Sequence, residues 1–175
     1  MEIVADALVP YPRPRVFAVY RDELAEMAEF LPNIRAIKVL KRVDREGEVD
    51  LVNEWTGGGD IPSVARSVLS ESMLRWTDYA TWFANEFRVE WRTEIHAFPG
   101  AVASSGTNRF YDTPEGTRLE VRGQFTIDAA KIPGVPRLLS KTIGSTVEKV
   151  MVTQIVKNTA ETARGIAKLI ARKSA

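Results

Sequence analysis

The sequence predicts an α+β fold in which a curved antiparallel sheet is closed by one long C-terminal helix. Two observations carry this. From about Pro136 to Arg172 the residues Leu139, Ile143, Val147, Val150, Met151, Ile155, Thr159, Ala163, Ile166, Leu169 and Ile170 recur at steps of three and four. That spacing lays one largely apolar stripe along a helix, and about 37 residues at 1.5 Å each span about 55 Å, far beyond the average helix. Almost everything before it alternates with a period of two, as strands do when one face is packed and the other wet. A sheet of that size twists and curls. A helix against its concave side closes it, over either a packed core or a cavity.

The elements follow in order. Met1 to Val9 begins as a short apolar strand and stops at Pro10. Pro10, Pro12 and Pro14 cannot continue a strand ladder, but a proline suits a helix's first turn. Val16, Phe17, Tyr20, Leu24, Met27, Phe30 and Leu31 then recur at helical steps, with Asp22, Glu23, Glu26 and Glu29 between them. This is one helix or two short ones, ended by Pro32-Asn33. From Ile34 the period becomes two, through Ile37 and Val39, and Arg45-Glu46-Gly47-Glu48 forms a hairpin turn. The return strand sets Val49, Leu51, Asn53 and Trp55 on one face. Gly57-Gly58-Gly59-Asp60 breaks it, and Ile61 to Ser72 reads as a short helix or an irregular strand.

Leu74, Trp76, Asp78, Ala80 and Trp82 resume the alternation up to a turn at Ala84-Asn85-Glu86. Phe87, Val89, Trp91, Thr93, Ile95 and Ala97 face one way in the clearest strand, and Arg88, Glu90, Arg92, Glu94 and His96 the other. Pro99-Gly100 turns the chain into Val102 to Tyr111, and Pro114-Glu115-Gly116 turns it into Leu119 to Ile127. Pro133-Gly134-Val135-Pro136 joins the sheet to the long helix, whose Lys168, Arg172 and Lys173 suit its C-terminus electrostatically.

Composition narrows the function classes. At 175 residues the chain reads as one domain with room for a sizeable core. A formal net charge of +1 gives no electrostatic argument for nucleic acid or acidic lipid. The absence of cysteine removes disulfides, thiolate catalysis and cysteine–zinc sites, and fits a cytoplasmic location. The first residues lack the pattern of a secretory signal, and no apolar run reaches the 18 or so residues of a membrane span.

Against this background the residues resemble a family. Pro14-Arg15-Val16-Phe17-Ala18-Val19-Tyr20-Arg21-Asp22 followed by Phe30-Leu31-Pro32-Asn33-Ile34 is similar to the opening passage of the START and birch-pollen-allergen-like superfamily, the SRPBCC or polyketide cyclase/lipid-transport proteins. Leu74 to Trp91 with its paired tryptophans, and a C-terminal helix carrying Ile155 and Asn158, agree in position. The resemblance covers essentially the whole chain. It implies a single helix-grip domain over residues 1–175, with a seven-stranded antiparallel sheet wrapped around the C-terminal helix. It further implies a cavity for lipids, polyketides or other apolar molecules. The superfamily's members range from carriers to cyclases, hydrolases and interaction modules, and supply no shared catalytic signature to carry over.

Strand parity gives the residues that would line such a cavity. From the sheet these are Leu51, Trp55, Trp76, Trp91, Phe110 and Phe125, with Val49 and Val121; the helix adds Leu139, Ile143, Val147, Met151 and Ile155. The plainer reading is that the same side chains fill a core. Asn53, Asp78 and Asn108 are polar residues on apolar faces, and burying each costs a few kcal/mol unless it finds a partner. They could orient a ligand's hydroxyl or carbonyl, and a buried Asp78 could act as acid or base. The plainer readings are mutual hydrogen bonding, a bulge, or exposure at a strand end. His96, the only histidine, falls with Arg92 and Glu94 on the wet face. A lone histidine without cysteine makes no metal set. Gly57-Gly58-Gly59 lacks the lysine and the strand–helix context of a phosphate loop, and Ser104-Ser105 lacks a nucleophile elbow.

The leading expectation is therefore binding or transport of a small hydrophobic ligand, with no cofactor, no nucleic-acid partner, and a monomer or weak homodimer. The alternative is a polyketide aromatase/cyclase-type enzyme with Asp78 or a tyrosine moving protons. The third is a protein-interaction module using the outer face of the sheet or the end of the helix.

Overall fold

The computed structural model describes residues 1–58 and 74–174. Gly59, Asp60 and the ambiguous segment from Ile61 to Ser72 lie outside the described residues. Strand β1 (Glu2–Val9) leads into α1 (Arg13–Asp22), which opens with a proline in its first turn, and then into α2 (Leu24–Met27). A single 3-10 turn, Ala28–Phe30, delivers the chain to six successive strands. These are β2 (Ile34–Arg45), β3 (Glu48–Gly57), β4 (Arg75–Phe83), β5 (Arg88–Ile95), β6 (Val102–Thr113) and β7 (Gly116–Ile127). A short 3-10 turn at Arg137–Leu139 precedes α3 (Ser140–Ser174), whose 35 residues extend about 52 Å.

All seven strands form one antiparallel sheet in the order β1-β7-β6-β5-β4-β3-β2. The chain starts at one edge with β1 and crosses to the other edge through α1 and α2. It then meanders back until β7 pairs with β1. The edge strand β2 carries two register shifts, at Ile34/Ala36 and at Val39/Lys41, which twist it away from flat edge-to-edge pairing. In the β6–β7 turn, Gly116 adopts φ +136°, and a Cβ there would stand 2.3 Å from the Val9 carbonyl oxygen. Only glycine lets the turn sit against the end of β1.

The curved sheet, the short helices after β1 and the long terminal helix constitute a helix-grip fold. Its core is concentrated at the C-terminal half of α3. Ile166 and Leu169 are fully buried with Ile3 and Val9 of β1, Val16 and Val19 of α1, and Met27 of α2. Beside them Phe17 meets Trp82, Phe87 and Phe110 edge-on, with ring centroids 5.2, 5.4 and 5.2 Å apart. Such contacts add to what burial alone contributes. At the helix end, Arg172 and Lys173 reach Glu26 and Glu29 beside α2, which places cations where the helix dipole favours them.

This distribution corrects the expectation for α3. The sequence pattern puts the interior-facing side at Leu139 to Ile155 and lets the rest cap or overhang the sheet. In the structure Leu138 is 98% exposed and Leu139 53% exposed, whereas Ala163, Ile166, Leu169 and Ile170 are buried. The reason is where the first turns of α3 lie. Gly144 sits on Ile127 and Ala129, and Glu148 accepts a hydrogen bond from the Ile127 backbone N–H at 3.1 Å. These turns pack on the end of β7 and the turn beyond it, away from the concave face.

Candidate functional site

Between the concave face and the middle of α3 lies a cavity of about 300 Å³. Its floor is built by strand alternation. Trp76, Asp78, Ala80 and Trp82 of β4 face inward, flanked by Trp55 of β3 and by Val89, Trp91, Thr93 and Ile95 of β5. Met151, Gln154, Ile155 and Asn158 of α3 form the opposite wall, and Tyr20, Leu24 and the Leu31–Ile34 bend close one side. All four tryptophans of the chain line this space.

Asp78 is the carboxyl that the sheet contributes to the cavity wall. The sheet register sets Asn53 and Thr93 directly opposite it, and Trp55 and Trp91 on the diagonals, about 7–8 Å away in such a ladder. Asn53 Nδ2 donates to the Asp78 carboxylate at 3.2 Å. Burial disfavours the charged form and pushes the Asp78 carboxyl up to about 6, although the Asn53 hydrogen bond opposes the shift. Burial also raises the Tyr20 hydroxyl well above its usual value, helped by the negative charge of Asp78, so Tyr20 stays protonated and neutral.

The aromatic walls are held in place. Trp55 and Trp76 stack with ring centroids 5.8 Å apart and planes 14° from parallel. Trp91 Nε1 donates to Asn108 Oδ1 at 2.8 Å, which fixes the indole and satisfies the buried amide. Its ring lies over Gly106, its cross-strand partner, where a Cβ would approach the ring to 2.6 Å and the Arg122 carbonyl oxygen to 2.4 Å. Gly106→Ala is therefore expected to displace Trp91 and to cost about 1–3 kcal/mol. A lowered melting temperature together with altered near-ultraviolet tryptophan circular dichroism checks this. On the helix side, Asn158 Oδ1 accepts from Gln154 at 2.9 Å and from Asn33 at 3.5 Å, tying the Leu31–Ile34 bend to α3. Two buried indole N–H groups, Trp55 Nε1 and Trp82 Nε1, and the Oδ1 of Asn53 have no hydrogen-bond partner among the described residues. Buried groups of this kind are costly to leave unmet.

Of the residues expected to bind ligand, the structure brings Trp55, Trp76, Asp78, Trp91, Asn108, Phe125, Met151 and Ile155 to the cavity wall. Leu51, Asn53 and Phe110 lie behind the wall instead, 2%, 0% and 2% exposed. Leu51 is paired with Ala80 and Asn53 with Asp78 in the sheet, and Phe110 belongs to the Phe17 cluster. Leu139, Ile143 and Val147 do not line the cavity, because the first turns of α3 sit on the end of β7. Sequence reasoning passed over Tyr20, Asn33, Gln154 and Asn158 as a group. For Trp82 the signal was present in its parity with Trp76 and Asp78; for Tyr20 there was none, since it reaches the cavity from a helix whose placement only the tertiary fold decides.

Two other features carry less chemistry. His96 is exposed, its Nε2 2.8 Å from Thr77 Oγ1. A broad trough of about 710 Å³ crosses the convex face, lined by polar and charged groups of β2 to β6. Arg92 stacks on Tyr79 at 3.9 Å, and Thr81 donates to Asp50 at 2.8 Å. Among the described residues no three His, Asp or Glu side chains gather as a metal site, and no helix is long and apolar enough to cross a membrane.

No protein-family model matches the sequence, and no curated protein matches it. Solved structures do. A protein of Thermus thermophilus, TTHA0849, is similar over the full length of both chains, with a TM-score of 0.70 at 16% identity. The Zhui aromatase/cyclase of Streptomyces sp. R1128 has a TM-score of 0.67 at 14% identity, covering 100% of this chain and 96% of that one. Truncated norcoclaurine synthase of Thalictrum flavum has a TM-score of 0.62 at 14% identity, covering 97% and 92%. Similarity at this identity carries the architecture and leaves the chemistry to be argued from the site.

Proposed function

We propose, from the premise that the chain has the helix-grip fold of the START and birch-pollen-allergen-like proteins, that it binds one small, mostly apolar, ring-bearing molecule between sheet and helix. The observation that carries this reading is the cavity itself. About 300 Å³ of space is walled mainly by indole, phenyl and aliphatic groups, with few polar ones and the carboxyls of Asp78 and Glu161, which is the composition of a small-molecule site. Affinity comes from apolar burial, at about 25 cal/mol per Å² removed from water. The indole N–H groups of Trp55 and Trp82 suit acceptor atoms on the ligand.

The reading is tested by filling the cavity. Ile155 faces it from α3 and is only partly buried, so Ile155→Trp is expected to fold while occupying the space. Titration of the wild type with a neutral aromatic such as 2-naphthol should quench tryptophan emission saturably. Ile155→Trp should weaken that binding by about tenfold or more, the loss of roughly 1.4 kcal/mol. Equal affinity in both proteins would place the binding elsewhere and defeat the reading.

A second reading, a cyclase-type enzyme, is favoured by one observation. The Asp78 carboxyl, raised to about 6 and close to the neutral Tyr20 hydroxyl, is poised for proton transfer near neutral pH. Similarity to the Zhui aromatase/cyclase supports the same idea at the level of fold. It predicts that Asp78→Asn abolishes turnover of a reactive polyketide while leaving its binding intact.

A further inference from the structure

We infer that the ligand carries a protonated amine, held at Asp78 by its carboxylate and by the surrounding indoles. This rests on the cavity-binding reading and names the chemical class of what is bound. The first observation is the charge of the wall. Among its described residues there is no lysine, arginine or histidine, and the carboxyls are those of Asp78 and Glu161. Glu161 is paired with Arg164 one turn further along α3. Among the described residues Asp78 has no cationic partner: its neutral neighbours are Asn53, which donates one hydrogen bond, and the protonated Tyr20. A buried carboxylate of this kind calls for a cation or for extensive hydrogen bonding, and the second is incomplete.

The second observation is independent of charge. Trp76 precedes Asp78 on the same face of β4, and Trp55 and Trp91 occupy the diagonals on either side. Three indoles thus flank Asp78 along and across the sheet, and indole is the best side chain for attracting a cation that comes within about 6 Å of its ring. Asn53, which spends its N–H on Asp78, lies behind the wall and is 0% exposed, so it offers the carboxylate one neutral hydrogen bond and no charge. The carboxylate and the indole faces favour positive charge at this end of the ligand, while the unmet indole N–H groups of Trp55 and Trp82 suit acceptor atoms on its body. A neutral or anionic headgroup leaves Asp78 without a cation. The cavity's size and apolar remainder set the other half of the ligand, an aromatic or aliphatic body.

The test uses three compounds of one skeleton and differing headgroup charge: 4-phenylbutylamine, 4-phenylbutanol and 4-phenylbutyrate. Because all four tryptophans line the cavity, quenching of intrinsic fluorescence at about pH 7.5, above the Asp78 value of about 6, reports binding of each. The amine is expected to bind about tenfold or more tighter than the alcohol, with the butyrate weakest, as a desolvated charge pair demands. Asp78→Asn should remove that preference, lowering amine affinity about tenfold and leaving the alcohol within about twofold. If the alcohol or the acid binds wild-type protein as tightly as the amine, the inference is overturned while the cavity reading stands. If none of the three quenches the tryptophans, both fail. The wild-type ranking alone decides the matter should Asp78→Asn not fold.

Discussion

Replacing Leu169 with alanine is expected to destabilise the protein by about 2–5 kcal/mol, the range for truncating a fully buried leucine. The same change at Leu139 should stay within about 0.5 kcal/mol, as for an ordinary surface position. Both residues belong to one apolar stripe in the sequence, yet Leu169 is fully buried and Leu139 is 53% exposed. Leu169 shares a core with Ile166, Ile3, Val9, Val16 and Met27, so its truncation leaves a cavity bounded by a sheet edge and two short helices, which relax poorly around it. For a chain of this length each kcal/mol lowers the melting temperature by about 2–4 °C. Urea unfolding of the two variants side by side, followed by far-ultraviolet circular dichroism, measures the contrast. Equal losses at both positions would mean that the first turns of α3 carry as much of the fold as the last.

That asymmetry also marks the boundary of what could be read from the chain. Strand parity was legible because alternation is a local property: Trp76, Asp78, Ala80 and Trp82 share a face whatever else the fold does, and so do Trp55 and Asn53. The turns announced themselves in the same way, through Gly47, Pro99-Gly100 and Gly116. The apolar stripe of α3 was equally legible as a stripe. Which part of it meets the sheet depends on where the helix crosses, and that is decided by the Ala129–Lys131 turn and by Glu148 gripping the Ile127 N–H. Neither leaves a periodic mark. Tyr20 and Asn33 were hidden for a related reason. Their segment reads as an amphipathic helix and its end, and only the crossing of α1 and α2 from one sheet edge to the other brings them to the cavity wall.

Stability that falls as pH rises through about 4 to 6, and a variant Asp78→Asn that lacks the fall, is the second large expected effect. The ordinary aspartate value is 3.8, and burial raises that of Asp78 to about 6. Below about pH 4 the carboxyl is protonated in folded and unfolded chains alike and contributes nothing. Between the two values the unfolded chain releases its proton while the folded one retains it, so each pH unit removes about 1.4 kcal/mol of stability. Above about pH 6 the loss is complete, roughly 3 kcal/mol for a shift of this size. Other carboxylates titrate over the same interval, so the quantity to measure is the difference between variant and wild type. It should move in favour of Asp78→Asn by about 3 kcal/mol between pH 4 and pH 7.5, or about 6–12 °C in melting temperature. A difference that stays flat across that interval would mean that Asp78 is solvated or already paired, and would remove the electrostatic basis for cation binding as well. Asp78 lies on the cavity wall, with Trp76 on the same face of β4 and Trp55 and Trp91 on the diagonals. Under the cation-binding proposal a protonated amine offsets the cost of this carboxylate, so the amine should raise the melting temperature of the wild type at pH 7.5 and leave that of Asp78→Asn unchanged.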